Sequence, residues 1–376
     1  MKRTITALLA LTFILTALAS CGAKSVTDGV YSTAEELRVV GTIGEYEVLY
    51  DEYRYVALSC KAMLENKYGK GIFDNEETAK QYEDELHDMV MARITANYAV
   101  LSLCAEYGYK KPLNDKETVK EVNATIDLLL YEHAVQNNIE VSVSESSGGE
   151  LKYKYEKGGL DKAYVHLRRE LSDYYLTERV LRLTLGVEYA FEVLINLLTA
   201  KEEVVIYKDS DIEDYMFSDK FICTRHIFIE NDKGDDVEAN RALAYEALDK
   251  YRQGQMSIDQ LIGSTYNEDV TTTYEGNYFT YGEMEEAYEK AAFALKDGEV
   301  SDVIEGENGF YIIERRTKSN TYMLSNFEVF ATQITYAIVN SMVRERQAEL
   351  SITLNDYGHS LVLYNIPTTR TEEESK

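Results

Sequence analysis

Apolar residues recur at three- and four-residue steps along two early stretches: Tyr50, Tyr53, Val56, Ala57, Cys60 and Met63/Leu64, then Leu86, Met89/Val90, Ile94, Tyr98, Leu101 and Cys104/Ala105. That period puts one apolar stripe on each of two α-helices. Ahead of them, Val39 to Val48 alternates around a glycine-containing turn and predicts a short hairpin. Gly108 and Pro112 end the second helix, and Asn114-Asp115-Lys116-Glu117 has the polar spacing of a capped start to a third. The Ser/Gly stretch from Ser142 to Gly149, with Gly158-Gly159 beyond it, reads as an exposed loop, and two further amphipathic helices are expected between Asp161 and Leu198. Ser210-Asp211-Ile212-Glu213 has capping-box spacing and predicts a short helix through Tyr215.

From Phe221 the pattern changes to mixed strand and helix. Phe221 to Ile229 reads as a strand, and Val237 to Arg252 carries Leu243, Ala244, Ala247, Leu248 and Tyr251 on one helical face before Gly254. Ser257 to Gln260 has the spacing to cap the next helix, Glu283 to Ala294 is another helical stretch, and Gly309 to Arg315 is a closing strand. After Ser319 the helical period returns, with Phe327, Phe330/Ala331, Ile334, Ile338, Met342 and Arg346 in register. Residues 320 to about 350 are expected to pack on the N-terminal helices, so that a mixed module of roughly one hundred residues sits inside one discontinuous helical domain. The charged tail from Thr368 is expected to be disordered.

The N-terminus adds a location. Lys2 and Arg3 precede an apolar run from Ile5 to Leu18 that is too short for an ordinary spanning helix and reads as an export signal. Leu18-Ala19-Ser20-Cys21 resembles the lipobox of bacterial lipoproteins, which implies cleavage before Cys21 and acylation of its thiol; a simple secretory signal with an incidental cysteine is the alternative. The expected division is a signal at 1–20, a flexible tether at 21–38, a helical chaperone-like domain at 39–218, the mixed module at 219–317, a returning helical segment at 318–366 and a tail at 367–376.

Composition narrows the functions. The 376-residue chain is 45% apolar, enough for two or three domains, and its 66 acidic against 39 basic side chains give a net charge of −27. Such a surface repels phosphate backbones and anionic headgroups, so no nucleic-acid partner is expected and membrane attachment must come from lipid. Cys60, Cys104 and Cys223 show no CxxC spacing, so neither a disulfide framework nor a zinc site is supported; buried free thiols are preferred over a Cys60–Cys104 bridge. The five histidines lack metal-binding spacing and no phosphate-binding glycine loop is present, so no metal and no cofactor is expected.

Arg225-His226-Ile227-Phe228-Ile229, the stretch from Gly282-Glu283-Met284 through Lys290 to Asp302, and Asn308-Gly309-Phe310-Tyr311-Ile312-Ile313 together resemble a parvulin-type peptidyl-prolyl isomerase domain over about residues 219 to 317. Lipobox, helical N-terminal region, parvulin module and returning helix together look like the PrsA/SurA class of extracytoplasmic foldases. The resemblance implies an α+β protein: a helical chaperone-like domain formed from N- and C-terminal segments, with an inserted four-stranded antiparallel sheet surrounded by helices. It implies a catalytic set of His226, Asp269 and Tyr311. Met284 and Tyr288 fall where the family lines its proline pocket, and Asn308 where a polar side chain supports the histidine network. For Asp269 a solvated loop carboxylate is the alternative, and for Met284 and Tyr288 ordinary core packing. Cys223 does not match the family's thiol position and reads as packing.

Three departures bear on turnover. Tyr311 stands where the family commonly has a second histidine, Tyr288 replaces a pocket phenylalanine, and Tyr274 to Phe279 replaces the usual Gly-Asp-Leu-Gly segment. The implied function is a membrane-anchored foldase acting on unfolded or newly exported polypeptides, with a homodimer left open. A parvulin-fold holdase with little catalysis is the second reading, and an acidic solute-binding or structural lipoprotein the third.

Overall fold

The computed structural model describes residues 35–146, 149–199, 208–231, 236–269, 271 and 275–366. The expected signal, Cys21, most of the tether and the C-terminal tail lie outside the described residues. The chain divides into two compact units, residues 1–197 with 342–376, and residues 198–341.

In the first unit, β1 (Val39–Ile43) and β2 (Tyr46–Leu49) form the expected hairpin, turning at Gly44 with φ +56°. A third strand, Thr353–Leu354, adds to its edge from the far end of the sequence. Gly41 permits that approach, because a Cβ there would stand 2.6 Å from the Thr353 carbonyl oxygen. Helices follow at Tyr50–Tyr68, Glu83–Glu106, Lys116–Gln136, Gly159–Asp173 and Glu178–Thr199. Asp115 caps the third of these by accepting from the Glu117 amide at 2.9 Å. The stretch read as a loop is instead a hairpin of β3 (Val141–Glu145) and β4 (Leu151–Tyr155), paired from Val141–Tyr155 to Glu145–Leu151. Cys60 and Cys104 are free and buried.

This unit buries charge as well as apolar surface. Asp51, wholly inaccessible, accepts from Arg179 Nε at 2.9 Å and from Thr177 Oγ1 at 2.7 Å. Its neighbour Glu52 accepts from Tyr98 Oη at 3.0 Å through Oε2, while Oε1 has no partner. Burial pushes the Glu52 carboxyl up to about 7 against the opposing pull of Arg179.

The second unit opens with a helix at Asp209–Phe217, beginning ahead of the expected Ser210 cap because the Asp211 carboxylate accepts from the Lys208 amide at 2.9 Å. Its four-stranded antiparallel sheet has the order β6 (Asn277–Thr280), β5 (Phe221–Glu230), β8 (Gly309–Arg316), β7 (Ile304–Glu305). Strand alternation gives the long central strand two faces. Ile227 and Ile229 bury against helices Val237–Arg252 and Ile258–Ile262, while Ile222, Phe279 and Ile313 bury under the helix Glu286–Ala294. Ser257 caps its helix as its spacing predicts, accepting from the Gln260 amide at 3.2 Å while Gln260 accepts from the Ser257 amide at 2.8 Å.

The long helix Phe327–Glu349 differs from expectation along its first half. Phe330 meets the rings of Phe221 and Tyr278 at 5.4 and 5.0 Å, and Gln333 donates to the Tyr278 carbonyl at 2.8 Å, so residues 320–341 group with the sheet. Contacts with the N-terminal helices come from its second half, where Arg346 donates to Ser102 at 2.8 Å and Gln347 to the Ala92 carbonyl at 2.8 Å. Aromatic surface at the end of the sheet competes for this helix, and apolar periodicity alone does not say which surface wins. Among the described residues no helix is long and apolar enough to cross a membrane.

Candidate active site

Residues two apart on β5 share a face, so Thr224, His226 and Phe228 look out with Ile222 toward the helix Glu286–Ala294. The register sets Ile313 opposite His226 and Tyr311 opposite Phe228. His226 is 5% exposed. Its Nε2 lies 2.8 Å from Asp269 Oδ2 and its Nδ1 lies 3.0 Å from Tyr288 Oη. Burial lowers the imidazole's pKa and Asp269 opposes that shift, so the ring is neutral at neutral pH.

Asp269 reaches the imidazole because its loop is fastened to β5. The Phe228 amide donates to Asn267 Oδ1 at 2.9 Å, the Glu268 amide donates to the Phe228 carbonyl at 2.9 Å, and Asn267 Nδ2 donates to the Ile262 carbonyl at 3.2 Å. The second carboxylate oxygen of Asp269 accepts from the Thr271 amide and hydroxyl at 2.7 and 2.6 Å. The carboxylate is therefore a fixed partner of His226 and not a freely solvated loop group.

Tyr288 requires a correction. It is 0% exposed, and its hydroxyl sits between His226 Nδ1 and Thr224 Oγ1, 2.8 Å from the latter. It cannot line an open pocket; it is a buried partner of the imidazole. Met284 does not share its helix either, because the helix starts at Glu286. The preceding turn is set by Glu289, whose Oε1 accepts from the amides of Gly282, Glu283 and Met284 at 2.7, 2.8 and 2.8 Å. That capture places Met284, partly exposed, against the cluster of Ile222, Phe279, Tyr288 and Ile313, on the same sheet face as His226.

Tyr311 stacks on Phe228 at 4.6 Å and stands edge-on to His226 at 5.6 Å. Burial and the nearby carboxylates of Glu285, Asp269, Glu230 and Glu307 push its phenol up to about 12. Asn308 is exposed on the turn between β7 and β8, where its carbonyl accepts from the Asn231 amide at 2.8 Å. The structure thus brings His226, Asp269, Tyr288, Tyr311 and Met284 together and leaves the Asn308 side chain outside their bonding. Cys223 faces the other side of the sheet, buried, and donates to the Glu275 carbonyl at 3.3 Å.

Sequence reasoning missed Thr224 and Glu289. Thr224 was legible as the residue two before His226 on the same strand face; nothing local marks Glu289.

An imidazole, a carboxylate and two phenols thus gather on the sheet face against which the partly exposed Met284 packs. Residues 226–317 match the rotamase family, described as the PPIC-type PPIase domain. The class is therefore that of parvulin-type isomerase domains. Across the longer chain, Foldase protein PrsA 1 of Listeria innocua is 25% identical over 258 residues, 67% of this chain and 71% of that protein. Foldase protein PrsA of Caldanaerobacter subterraneus is 24% identical over 360 residues, 93% of this chain and 94% of its own. Peptidyl-prolyl cis-trans isomerase ssp-1 of Neurospora crassa is 47% identical over 68 residues, 18% of this chain and 37% of its own. The chain is homologous to the PrsA foldase proteins and carries a PPIC-type isomerase domain.

Proposed function

We propose that this chain is a lipid-anchored extracytoplasmic foldase that accelerates cis/trans isomerisation of X-Pro bonds in newly exported polypeptides, with its helical unit holding unfolded segments. The observation that carries the catalytic part is the His226–Asp269 pair at 2.8 Å, on the sheet face against which Met284 packs. Lipid anchoring through Cys21 rests on the Leu18-Ala19-Ser20-Cys21 pattern.

Rotation about an imide must overcome a barrier of about 20 kcal/mol because amide resonance is lost midway. No bond to the enzyme forms. Met284 and the aromatic rings beside it give the prolyl ring an apolar seat that excludes water, which favours the less polar twisted imide over the planar one. Asp269 and the Tyr311 hydroxyl are the polar groups that border this seat, and His226 orients Asp269. We assign Asp269 and Tyr311 to substrate contact, His226 to the network behind them, Met284 to the prolyl ring and Asn308 to the groove rim.

Exchange between cis and trans forms of an X-Pro peptide, followed by NMR, tests the reading. The full chain should accelerate exchange and His226→Ala should abolish most of that acceleration. Peptide binding without acceleration would favour a holdase, a reading to which the phenol at position 311 lends support.

A further inference from the structure

We infer that Tyr288, backed by Thr224, is a positioning residue that locks the His226 imidazole in its Nε2–H tautomer. Donors and acceptors fix the position of the proton. Asp269 receives two donors from Thr271 on Oδ1, at 2.7 and 2.6 Å, and faces His226 Nε2 with Oδ2 at 2.8 Å. A carboxylate only accepts, so Nε2 carries the proton. In the neutral ring Nδ1 is then a bare lone pair, and the group facing it at 3.0 Å is the Tyr288 hydroxyl, which must donate. Having spent its proton there, the Tyr288 oxygen accepts from Thr224 Oγ1 at 2.8 Å. Thr224, Tyr288, His226 and Asp269 form a chain in which every bond runs in one direction.

The opposite tautomer would set two lone pairs against each other at Nε2 and Asp269, and two donors against each other at Nδ1 unless Tyr288 also turned. Each mismatch leaves a buried polar group unsatisfied. Tyr288 is 0% exposed and its ring is held by Phe279 at 5.9 Å, so it acts only through His226 and never on a bound peptide. A phenol fills the role at Nδ1 without adding a second group that titrates near neutrality. It also releases Tyr311, across the strand, from any duty to the imidazole and leaves that hydroxyl for the peptide.

The kinetic part rests on the isomerase reading; the tautomer part does not. In the full chain labelled with 15N-histidine, a long-range proton–nitrogen correlation spectrum, with His226→Gln to identify the signal, should show a single Nε2–H pattern at neutral pH. Tyr288→Phe keeps the ring and removes the hydroxyl. The His226 pattern should then average between both tautomers, with kcat down about tenfold, the worth of one hydrogen bond, and KM unchanged. Thr224→Val should move both readouts the same way by less, and Thr224→Ser should restore them. An Nδ1–H pattern in the unmodified chain, or an unmoved pattern in Tyr288→Phe, overturns the inference. If Tyr288→Phe fails to fold, the near-isosteric Thr224→Val decides between the two outcomes by the same signal. A chain with no isomerase activity but the expected tautomers would sink the function and leave this inference standing.

Discussion

The two units each bury a polar network, and the contrast separates a structural network from the one we propose to be functional. In the first unit, Asp51, Glu52, Arg179, Tyr98 and Thr177 bring two carboxylates and a guanidinium together, and Glu52 Oε1 is left without a partner. In the second, Thr224, Tyr288, His226 and Asp269 are joined in series by single contacts of 2.8, 3.0 and 2.8 Å, and the partly exposed Met284 packs on the same sheet face. Glu52, whose carboxyl burial drives to about 7, belongs to the first network. A perturbed carboxyl here marks buried charge, whereas the network we assign to catalysis is set apart by its direction of bonding and by the partly exposed Met284 on its sheet face.

The largest effect expected from this contrast is on stability. Arg179→Leu leaves Asp51 buried without its cation and should cost about 3–5 kcal/mol in the unfolding free energy of the first unit. Isomerase turnover of the intact chain at low temperature should survive, and parallel loss of turnover would tie the two networks together. His226→Ala should do the reverse, cutting turnover about a hundredfold, the scale of a lost oriented polar group, while the second unit stays folded at the assay temperature despite the buried cavity left behind. A melting temperature that collapses with activity would make His226 a structural residue.

Glu52 gives a pH dependence with a definite sign. Its folded carboxyl titrates near 7 against an ordinary value of 4.5, so the folded state holds the proton more tightly than the unfolded one. The stability it contributes is complete below about 4.5 and is lost as pH rises through 7, at about 1.4 kcal/mol per pH unit between those values. Glu52→Gln should remove that slope from urea titrations at pH 5 and pH 7.5. Identical slopes in both proteins would contradict it. A smaller effect is expected from Met284→Ala, which should raise KM for an X-Pro peptide several-fold, about 1 kcal/mol of lost apolar contact, with kcat kept.

Much of the second unit was legible along the chain. Val237–Arg252 was marked by its apolar face, and Ser257 by its capping partner. The strands around His226 and Tyr311 read as Phe221 to Ile229 and Gly309 to Arg315, within one residue of their observed ends. What escaped was decided at a distance. Whether position 288 faces a groove or an imidazole depends on strand residues 62 and 64 positions away. The helix start at Glu286 depends on Glu289 drawing three amides into a turn. The hairpin Val141–Tyr155 carried its own period-two signal, hidden by the serines and glycines between its strands. Helical period likewise placed Phe327–Glu349 without saying that Phe330 would choose Phe221 and Tyr278.

The most direct test of the central claim compares X-Pro exchange rates for the unmodified chain and His226→Ala at equal concentration, with folding of both verified by circular dichroism. The account predicts marked acceleration by the first and at most a few per cent of it by the second. Exchange at the uncatalysed rate with the unmodified chain, or equal acceleration by both, would contradict it.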